Sequence, residues 1–137
     1  KSSAGPKSIG TPVLGLTIAH SNKITAGELR IGVSEDAAQV RQCTQPPTSL
    51  HDGSLDVISL NGIPFTHFAA SDAAMSHYLL VHAYRAVHGG RCYAIDLLVI
   101  GTQPQVYDPP ATPPFSHAQA FAQLHTALQS FRFTPTP

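Results

Sequence analysis

The segment SHYLLVHAYRAVHGGRCYAIDLLVIG, residues Ser76–Gly101, is the starting point for predicting the fold. It predicts two long strands, Ser76–His88 and Arg91–Gly101, around a turn at Gly89–Gly90, where glycine tolerates the positive φ angles of a tight hairpin. Both faces of the predicted hairpin are largely apolar, so we expect the sheet to be covered on both sides. One face carries Leu80, His82, Tyr84, Tyr93, Ile95, Leu97 and Val99, and the other carries Leu79, Val81, Ala83, Val87, Cys92, Leu98 and Ile100.

Two helices are predicted to supply that cover. A short helix is expected over Glu35–Cys43, with Ser34 as its N-cap and acidic residues in its first turn. A longer amphipathic helix is expected over Ser116–Phe131, where Ser116 and Gln119 have the spacing of a capping box. The prediction is an α+β fold, namely an α/β/α sandwich with a central, mainly antiparallel sheet and two flanking helices.

A second hairpin is predicted in SLDVISLNGIPFTHF, residues Ser54–Phe68. Asn61–Gly62 suits a two-residue type I′ turn, because both residues accept positive φ. This register places Asp56 opposite His67 and puts Pro64 at a position that donates no hydrogen bond to the first strand. It also pairs Leu60 with Ile63 and Ile58 with Phe65.

The remaining segments complete a single domain. Short β-type runs are predicted at Thr11–Ile18, at Glu28–Val33 and at the end of the chain in Phe131–Phe133. We expect a loop or single turn over Ala69–Met75 and an irregular, proline-rich segment over Thr102–Pro114. The predicted organisation is a flexible leader at 1–10, one domain at 11–133 and a disordered tail at 134–137.

Charge and hydropathy exclude several classes of protein. The 137 residues include 8 Lys plus Arg and 8 Asp plus Glu, so the formal net charge is zero. Without a basic excess, electrostatic binding of nucleic acid is not expected. No apolar run approaches the roughly 18 residues of a membrane span, so none is predicted.

The first residue and the cysteines suggest a compartment. The chain begins at Lys1 and its only methionine is Met75, which predicts a processed or truncated product, as after removal of a signal peptide or next to a lipid anchor. Cys43 and Cys92 lack Cys-x-x-Cys spacing, so we expect one disulfide in an oxidising compartment. Two buried free thiols in a cytosolic domain are the alternative. The prediction is a periplasmic or secreted protein, with lipid anchoring left open.

Three segments together resemble the PsbP-like family. They are the NGIPF turn at Asn61–Phe65, the YRAVHGGRCYAIDL hairpin at Tyr84–Leu97, and the C-terminal helix running into SFRF at Phe121–Phe133. The family includes extrinsic photosystem subunits and many bacterial secreted proteins or lipoproteins. The resemblance implies an α/β/α sandwich around an antiparallel sheet and a docking or accessory role without catalysis. It supplies no shared catalytic motif, and no segment specific to photosystems is present.

Asp56 and His67 form the sharpest candidate site, because cross-strand neighbours on one face interact. A carboxylate beside an imidazole orients the ring and is also two thirds of a hydrolase triad. Ser71 and Ser76 are nearby in sequence, although no G-x-S-x-G motif accompanies them. A plain hairpin ion pair is the alternative. The eight histidines of the chain contain no H-x-x-x-H pair, so the sequence predicts no metal site and no cofactor.

Two further features have both a structural and a functional interpretation. Arg85 and Asp96 lie diagonally across the long hairpin among apolar neighbours, which predicts a structural ion pair and leaves a site lining as the alternative. Tyr107 and Phe115 belong to the long irregular loop over Gln103–Phe115, which either docks a partner protein or is a passive linker.

These observations predict an extracytoplasmic, non-enzymatic accessory domain that docks a protein or cell-envelope partner. The alternative is a hydrolase or metal-dependent enzyme that uses Asp56, His67 and other histidines.

Overall fold

The computed structural model describes residues 11–45, 55–74 and 76–131 and arranges them as one antiparallel sheet with two α-helices. The six strands lie side by side in the order β1-β2-β6-β5-β4-β3. The strands are β1 (Thr11–Thr17), β2 (Thr25–Ser34), β3 (Leu55–Leu60), β4 (Ile63–Ala74), β5 (His77–His88) and β6 (Arg91–Thr102), and the helices are α1 (Ala37–Arg41) and α2 (His117–Leu128). The predicted leader at 1–10, the tail at 134–137 and most of the predicted strand at 131–133 lie outside the described residues.

The expected α/β/α sandwich is wrong, because the protein is a β-rich fold. The helix predicted at Glu35–Cys43 shortens to the five residues of α1, about one and a half turns, and none of them is buried. Its N-cap is Asp36, whose side chain accepts from the Gln39 amide, and not Ser34 as predicted. Such a short helix cannot form a second layer. Among the described residues, no helix is long and apolar enough to cross a membrane.

The face of the sheet that lacks a helix layer, here the disulfide face, buries its own small cluster. Its members are Phe68, Leu79, Val81, Ala83 and Leu98. The predicted disulfide is confirmed on this face, where Cys43 and Cys92 are bonded with their Cα atoms 5.6 Å apart. Closing the 49-residue separation restricts the unfolded chain, which the chain-entropy treatment values at about 4 kcal/mol. The apolar cluster and the Cys43–Cys92 disulfide thus stabilise the face that the expected helix would have covered.

The opposite face, here the helix face, carries the main core. Helix α2 packs there against β2 and β6, and its buried residues are Ala120, Leu124 and Leu128. The predicted capping box of Ser116 and Gln119 is present and begins the helix. The sheet contributes Leu29, Phe65, Tyr84, Ile95, Leu97 and Val99, among others.

The two predicted turns are confirmed and set the register of four strands. Asn61 and Gly62 have φ angles of 54° and 86°, and Asp56 pairs with His67. Gly89 and Gly90 have φ angles of 62° and 79°, and β5 pairs with β6 as expected. The Asn61 side-chain amide also donates to the Gln129 and Phe131 carbonyls, at 3.2 and 2.5 Å. This contact fastens the C-terminal end of α2 to the β3–β4 turn.

The loop expected over Ala69–Met75 is wrong, because β4 continues to Ala74. Alanine, serine and aspartate have low strand propensity, and pairing with β5 overrides that local preference. The ladder runs from Thr66 opposite Arg85 to Ala74 opposite His77. Because side chains alternate along a strand, the longer β4 places residues beside β5 on both faces of the sheet.

Gly101 marks a close approach in the sheet. The buried Tyr78 hydroxyl donates to the Ile24 carbonyl at 2.9 Å and lies 2.9 Å from the Thr25 hydroxyl. A Cβ atom at Gly101 would stand 2.0 Å from the Ile24 carbonyl oxygen and 2.7 Å from the Tyr78 hydroxyl. Backbone is among the colliding atoms, so a side chain there forces the strands apart.

We therefore expect Gly101→Ala to lower the free energy of unfolding by about 2 kcal/mol or more, because relief of the clash requires backbone movement. The matched control is Gly15→Ala, also in the sheet, where nothing lies within 4 Å of the added Cβ. Urea unfolding of both variants measures the difference. Equal stability of the two would contradict the close approach.

Candidate functional site: a hydrogen-bonded histidine chain

Three side chains on neighbouring strands form a continuous hydrogen-bonded chain on the helix face. Asp56 Oδ1 lies 2.7 Å from His67 Nδ1, and His67 Nε2 lies 2.8 Å from His82 Nδ1. Asp56 belongs to β3, His67 to β4 and His82 to β5. The chain therefore crosses half of the sheet and uses both nitrogens of the central ring.

Strand register explains how these residues meet. Asp56 is directly opposite His67 in the β3–β4 ladder, as the Asn61–Gly62 turn predicts. In the next ladder His82 is opposite Ala69, which places it diagonally from His67 on the same face. The two imidazole rings are nearly parallel, at 10°, with centroids 5.1 Å apart. If β4 ended at Phe68, His82 would have no partner residue on the β4 side of β5.

Helix α2 brings a third imidazole and an aromatic wall to the chain. The His125 ring lies 5.9 Å from that of His82, and Phe121 meets His82 edge-on at 4.8 Å. Beneath them the buried Tyr84 ring lies 4.8 Å from His67 and 6.4 Å from His125. We call Asp56, His67, His82 and His125 the histidine cluster.

The cluster has an electrostatic character that isolated surface histidines lack. Burial lowers the pKa of His82, and the neighbouring His67 and His125 lower it further, against an opposing effect of Asp56. Burial and then His67 lower the pKa of His125. Burial and then the Asp56 charge raise the pKa of Tyr84 to about 12, so its hydroxyl stays protonated. His82 and His125 are thus poised as neutral bases near neutral pH.

The chain can exist in two proton arrangements. An ionised Asp56 only accepts, so His67 carries a proton on Nδ1. When His67 is neutral, His82 donates from Nδ1 and keeps a lone pair on Nε2; when His67 is protonated, His82 accepts at Nδ1 and a neutral His82 holds its proton on Nε2. The far nitrogen of His82 therefore changes from acceptor to donor with the charge on His67.

The structure bears on metal and nucleophile candidates as well. Over the described ranges, no group of three or more His, Cys, Asp or Glu side chains is placed to hold a metal ion. Ser71 points to the helix face, two residues along β4 from Ala69, and is exposed. Among the hydrogen bonds between described residues, none joins Ser71 or Ser76 to a histidine.

The other predicted site residues lie elsewhere. Arg85 and Asp96 form an ion pair of 2.8 Å on the disulfide face, with their side chains 3% and 9% exposed. Phe115 is buried in the main core cluster. Tyr107 is half-buried, and the Lys23 ammonium lies 5.4 Å above its ring. The structure therefore joins Asp56 with His67 and divides the remaining candidates between the core, the loop and the opposite face.

His82 and His125 are members of the site that the sequence pattern does not predict. The hairpin pattern already placed His82 on the face that carries Tyr84, and the Asn61–Gly62 turn placed His67 opposite Asp56. Bringing His67 and His82 together also requires the β4–β5 register, which the predicted loop at Ala69–Met75 does not contain. His125 lies three residues before the buried Leu128 on α2, so its place beside His82 depends on helix docking.

Comparisons with protein-family models, with curated proteins and with solved structures find no match for this chain. The resemblance to the PsbP-like family therefore stays a prediction from its sequence segments.

The lowered pKa values of His82 and His125 predict how stability depends on pH. Because these two residues hold fewer protons folded than unfolded, they favour the folded state above the ordinary histidine pKa of 6.5 and lose that contribution as the pH falls below it. We expect the double variant His82→Gln, His125→Gln to lose less unfolding free energy than the wild type between about pH 8 and about pH 5. Urea unfolding at both pH values measures this.

The matched control for that experiment is His77→Gln, which changes an exposed histidine at the start of β5. It should show the wild-type pH dependence. An equal loss of stability in the double variant and in the wild type would show that the cluster does not titrate as described.

Proposed function

We propose that the protein is an extracytoplasmic, non-catalytic accessory domain that docks a protein or cell-envelope partner through the histidine cluster. The disulfide is compatible with an extracellular location, and the proposal extends this to a periplasmic or secreted protein, including a lipid-anchored form. The PsbP-like resemblance supports an accessory role in the same compartments.

The docking proposal depends on one observation, the hydrogen-bonded chain from Asp56 through His67 to His82. The His125 ring lies 5.9 Å from the His82 ring at its end. A polar chain in a partly buried, aromatic setting costs desolvation free energy, which hydrophobic residues in the same place would avoid. Groups whose pKa values are shifted by burial and by one another concentrate at functional sites. The main contacts of α2 are with β2 and β6, whereas Asp56, His67 and His82 lie on β3, β4 and β5, where the Asp56 side chain is 62% exposed.

The chemistry of the cluster favours a partner with an acidic group. A carboxylate or phosphate beside His82 and His125 would stabilise their protonated forms and raise their pKa values. Binding would then take up protons, so affinity rises as the pH falls through the range in which the free histidines are neutral. Asp56 is the one carboxylate of the histidine cluster, and its Oδ1 atom is already hydrogen-bonded to His67 Nδ1 at 2.7 Å.

The test uses an acidic peptide of six glutamates as the probe and measures binding by calorimetry and by the imidazole resonances of His82 and His125. We expect binding about tenfold tighter at about pH 5.5 than at about pH 7.5. His125→Gln should remove most of this pH dependence. His77→Gln, the exposed histidine on the disulfide face, should not change it.

Binding that is absent, or that moves neither imidazole at either pH, would overturn the proposal. Binding of equal strength in His125→Gln and the wild type at both pH values would do the same. Dependence on salt alone, without the variant effect, would indicate general charge attraction and would also count against docking at the cluster.

The hydrogen-bonded chain also favours a second candidate, a hydrolase. In this arrangement His82 acts as general base, oriented through His67 by Asp56, in the manner of a triad with one extra imidazole. Ser71 is the candidate nucleophile, because it shares the helix face and is diagonal to His82, a separation of about 7–8 Å between Cα atoms in such pairs. A metal-dependent enzyme has no comparable support from the described residues.

Hydrolysis of p-nitrophenyl acetate distinguishes this candidate from docking. A hydrolase should lose at least about a hundredfold in kcat/KM in Ser71→Ala and in His82→Gln. The docking proposal predicts that Ser71→Ala leaves the slow background rate unchanged. A burst of acyl-enzyme that disappears in Ser71→Ala would establish the second candidate.

A further inference from the structure

Arg85 is a buried cation on the face of the sheet away from the histidine cluster. The residue is 2% exposed, and its guanidinium lies 5.6 Å from the Phe68 ring. Its Nη1 atom donates to Asp96 Oδ1 at 2.8 Å and to the Tyr84 carbonyl at 3.0 Å. This ion pair explains how the charge is tolerated inside the fold.

The ion pair uses only part of the guanidinium. Arginine has five N–H groups, and the two hydrogen bonds of Arg85 both come from Nη1. In the part of the chain that the structure describes, no acceptor is bonded to Nε or Nη2. Since that part contains no fully enclosed side-chain nitrogen or oxygen without a partner, these two nitrogens retain contact with solvent. Among the described residues, the Nε–Nη2 edge therefore has no hydrogen-bond acceptor, although Arg85 is almost wholly buried.

The neighbours of Arg85 suit a ligand that is apolar apart from one anionic group. Thr66 is directly opposite Arg85 in the β4–β5 ladder, and Val57 is opposite Thr66 in the next ladder. Val57 is 69% exposed and Val87, two residues from Arg85 on the same face, is 47% exposed. Leu55, in the following row beside Phe68, is 48% exposed. An exposed apolar strip thus leads to a threonine and then to a buried arginine.

The charged side chains on this part of the disulfide face form two ion pairs. Asp96 neutralises Arg85, while Arg30 stands opposite Asp96 across the β2–β6 ladder and pairs with Glu28 at 2.6 Å. Among these four groups, Asp96 is the carboxylate bonded to Arg85.

We propose that the Nε–Nη2 edge of Arg85 binds the carboxylate of an apolar monocarboxylate, with Thr66 beside it and Val57, Leu55 and Val87 contacting the apolar body. The side edge of a guanidinium offers two parallel N–H groups, which match the two oxygens of a carboxylate. Thr66 can add a hydroxyl donor. A fatty acid and the C-terminus of a peptide ending in an apolar residue share this chemistry.

The test follows the Arg85 Nε–H resonance in the full chain while octanoate, N-acetyl-leucine, acetate or inorganic phosphate is added. We expect octanoate or N-acetyl-leucine to shift this resonance saturably and to bind at least about tenfold tighter than acetate, because only they cover the apolar strip. Tighter binding of octanoate identifies a lipid-type ligand, and tighter binding of N-acetyl-leucine identifies a peptide C-terminus.

Variants separate the parts of the site. Val57→Ser should weaken octanoate about fivefold and leave acetate unchanged, because it removes apolar contact and spares the arginine. Arg85→Lys keeps the charge but lacks the paired edge, so it should lose at least about tenfold for every carboxylate. The matched control is Arg91→Lys, an exposed arginine paired with Glu35 at 2.6 Å, which should bind like the wild type.

Several outcomes would overturn the site. An Arg85 Nε–H resonance that no carboxylate moves, while its exchange with water is normal, would show that the edge is satisfied by water alone. Octanoate binding that is lost in His125→Gln but kept in Arg85→Lys would place the ligand at the histidine cluster. If Arg85→Lys fails to fold, the resonance titration and Val57→Ser decide the question.

Discussion

The pairing of β4 with β5 is the constraint on which both proposed sites depend. Its ladder runs from Thr66 opposite Arg85 to Ala74 opposite His77. On one face it places His82 diagonally from His67, close enough for a hydrogen bond of 2.8 Å. On the other face it places Thr66 directly opposite Arg85. A shift of one residue in this register would move His82 and Arg85 each to the other face of the sheet and so separate His82 from His67 and Arg85 from Thr66.

The two faces handle buried polarity in different ways. On the helix face, imidazoles share protons along a chain, and burial keeps His82 and His125 poised as neutral bases. On the disulfide face, a permanent cation is held by Asp96 and by a main-chain carbonyl. An arginine does not lose its proton, so it can recognise an anion at any pH, whereas the histidines respond to pH. A partner that contacts the first face and a ligand that enters the second would therefore depend differently on pH.

The proposed docking role joins these features to the rest of the molecule. A disulfide and a short α1 replace a second helical layer, which leaves Val57 and Val87 exposed near Arg85. Helix α2 packs against β2 and β6, and the imidazole of His125 lies toward β5. The Asn61 amide at the C-terminal end of α2 holds this arrangement from the hairpin side. The PsbP-like resemblance and the periplasmic or secreted location belong to the same proposal.

Elements whose geometry is local follow directly from the order of the residues. Asn61–Gly62 and Gly89–Gly90 specify tight turns, each turn sets its hairpin register, and Asp56 therefore faces His67. The Ser116–Gln119 capping box begins α2 in the same way. The packing of the whole chain extends β4 to Ala74, because pairing with β5 outweighs the weak strand propensity of its last residues. It also decided that His125 reaches His82 and that no second helix covers Arg85 in the described part of the chain, since both depend on contacts between residues distant in sequence.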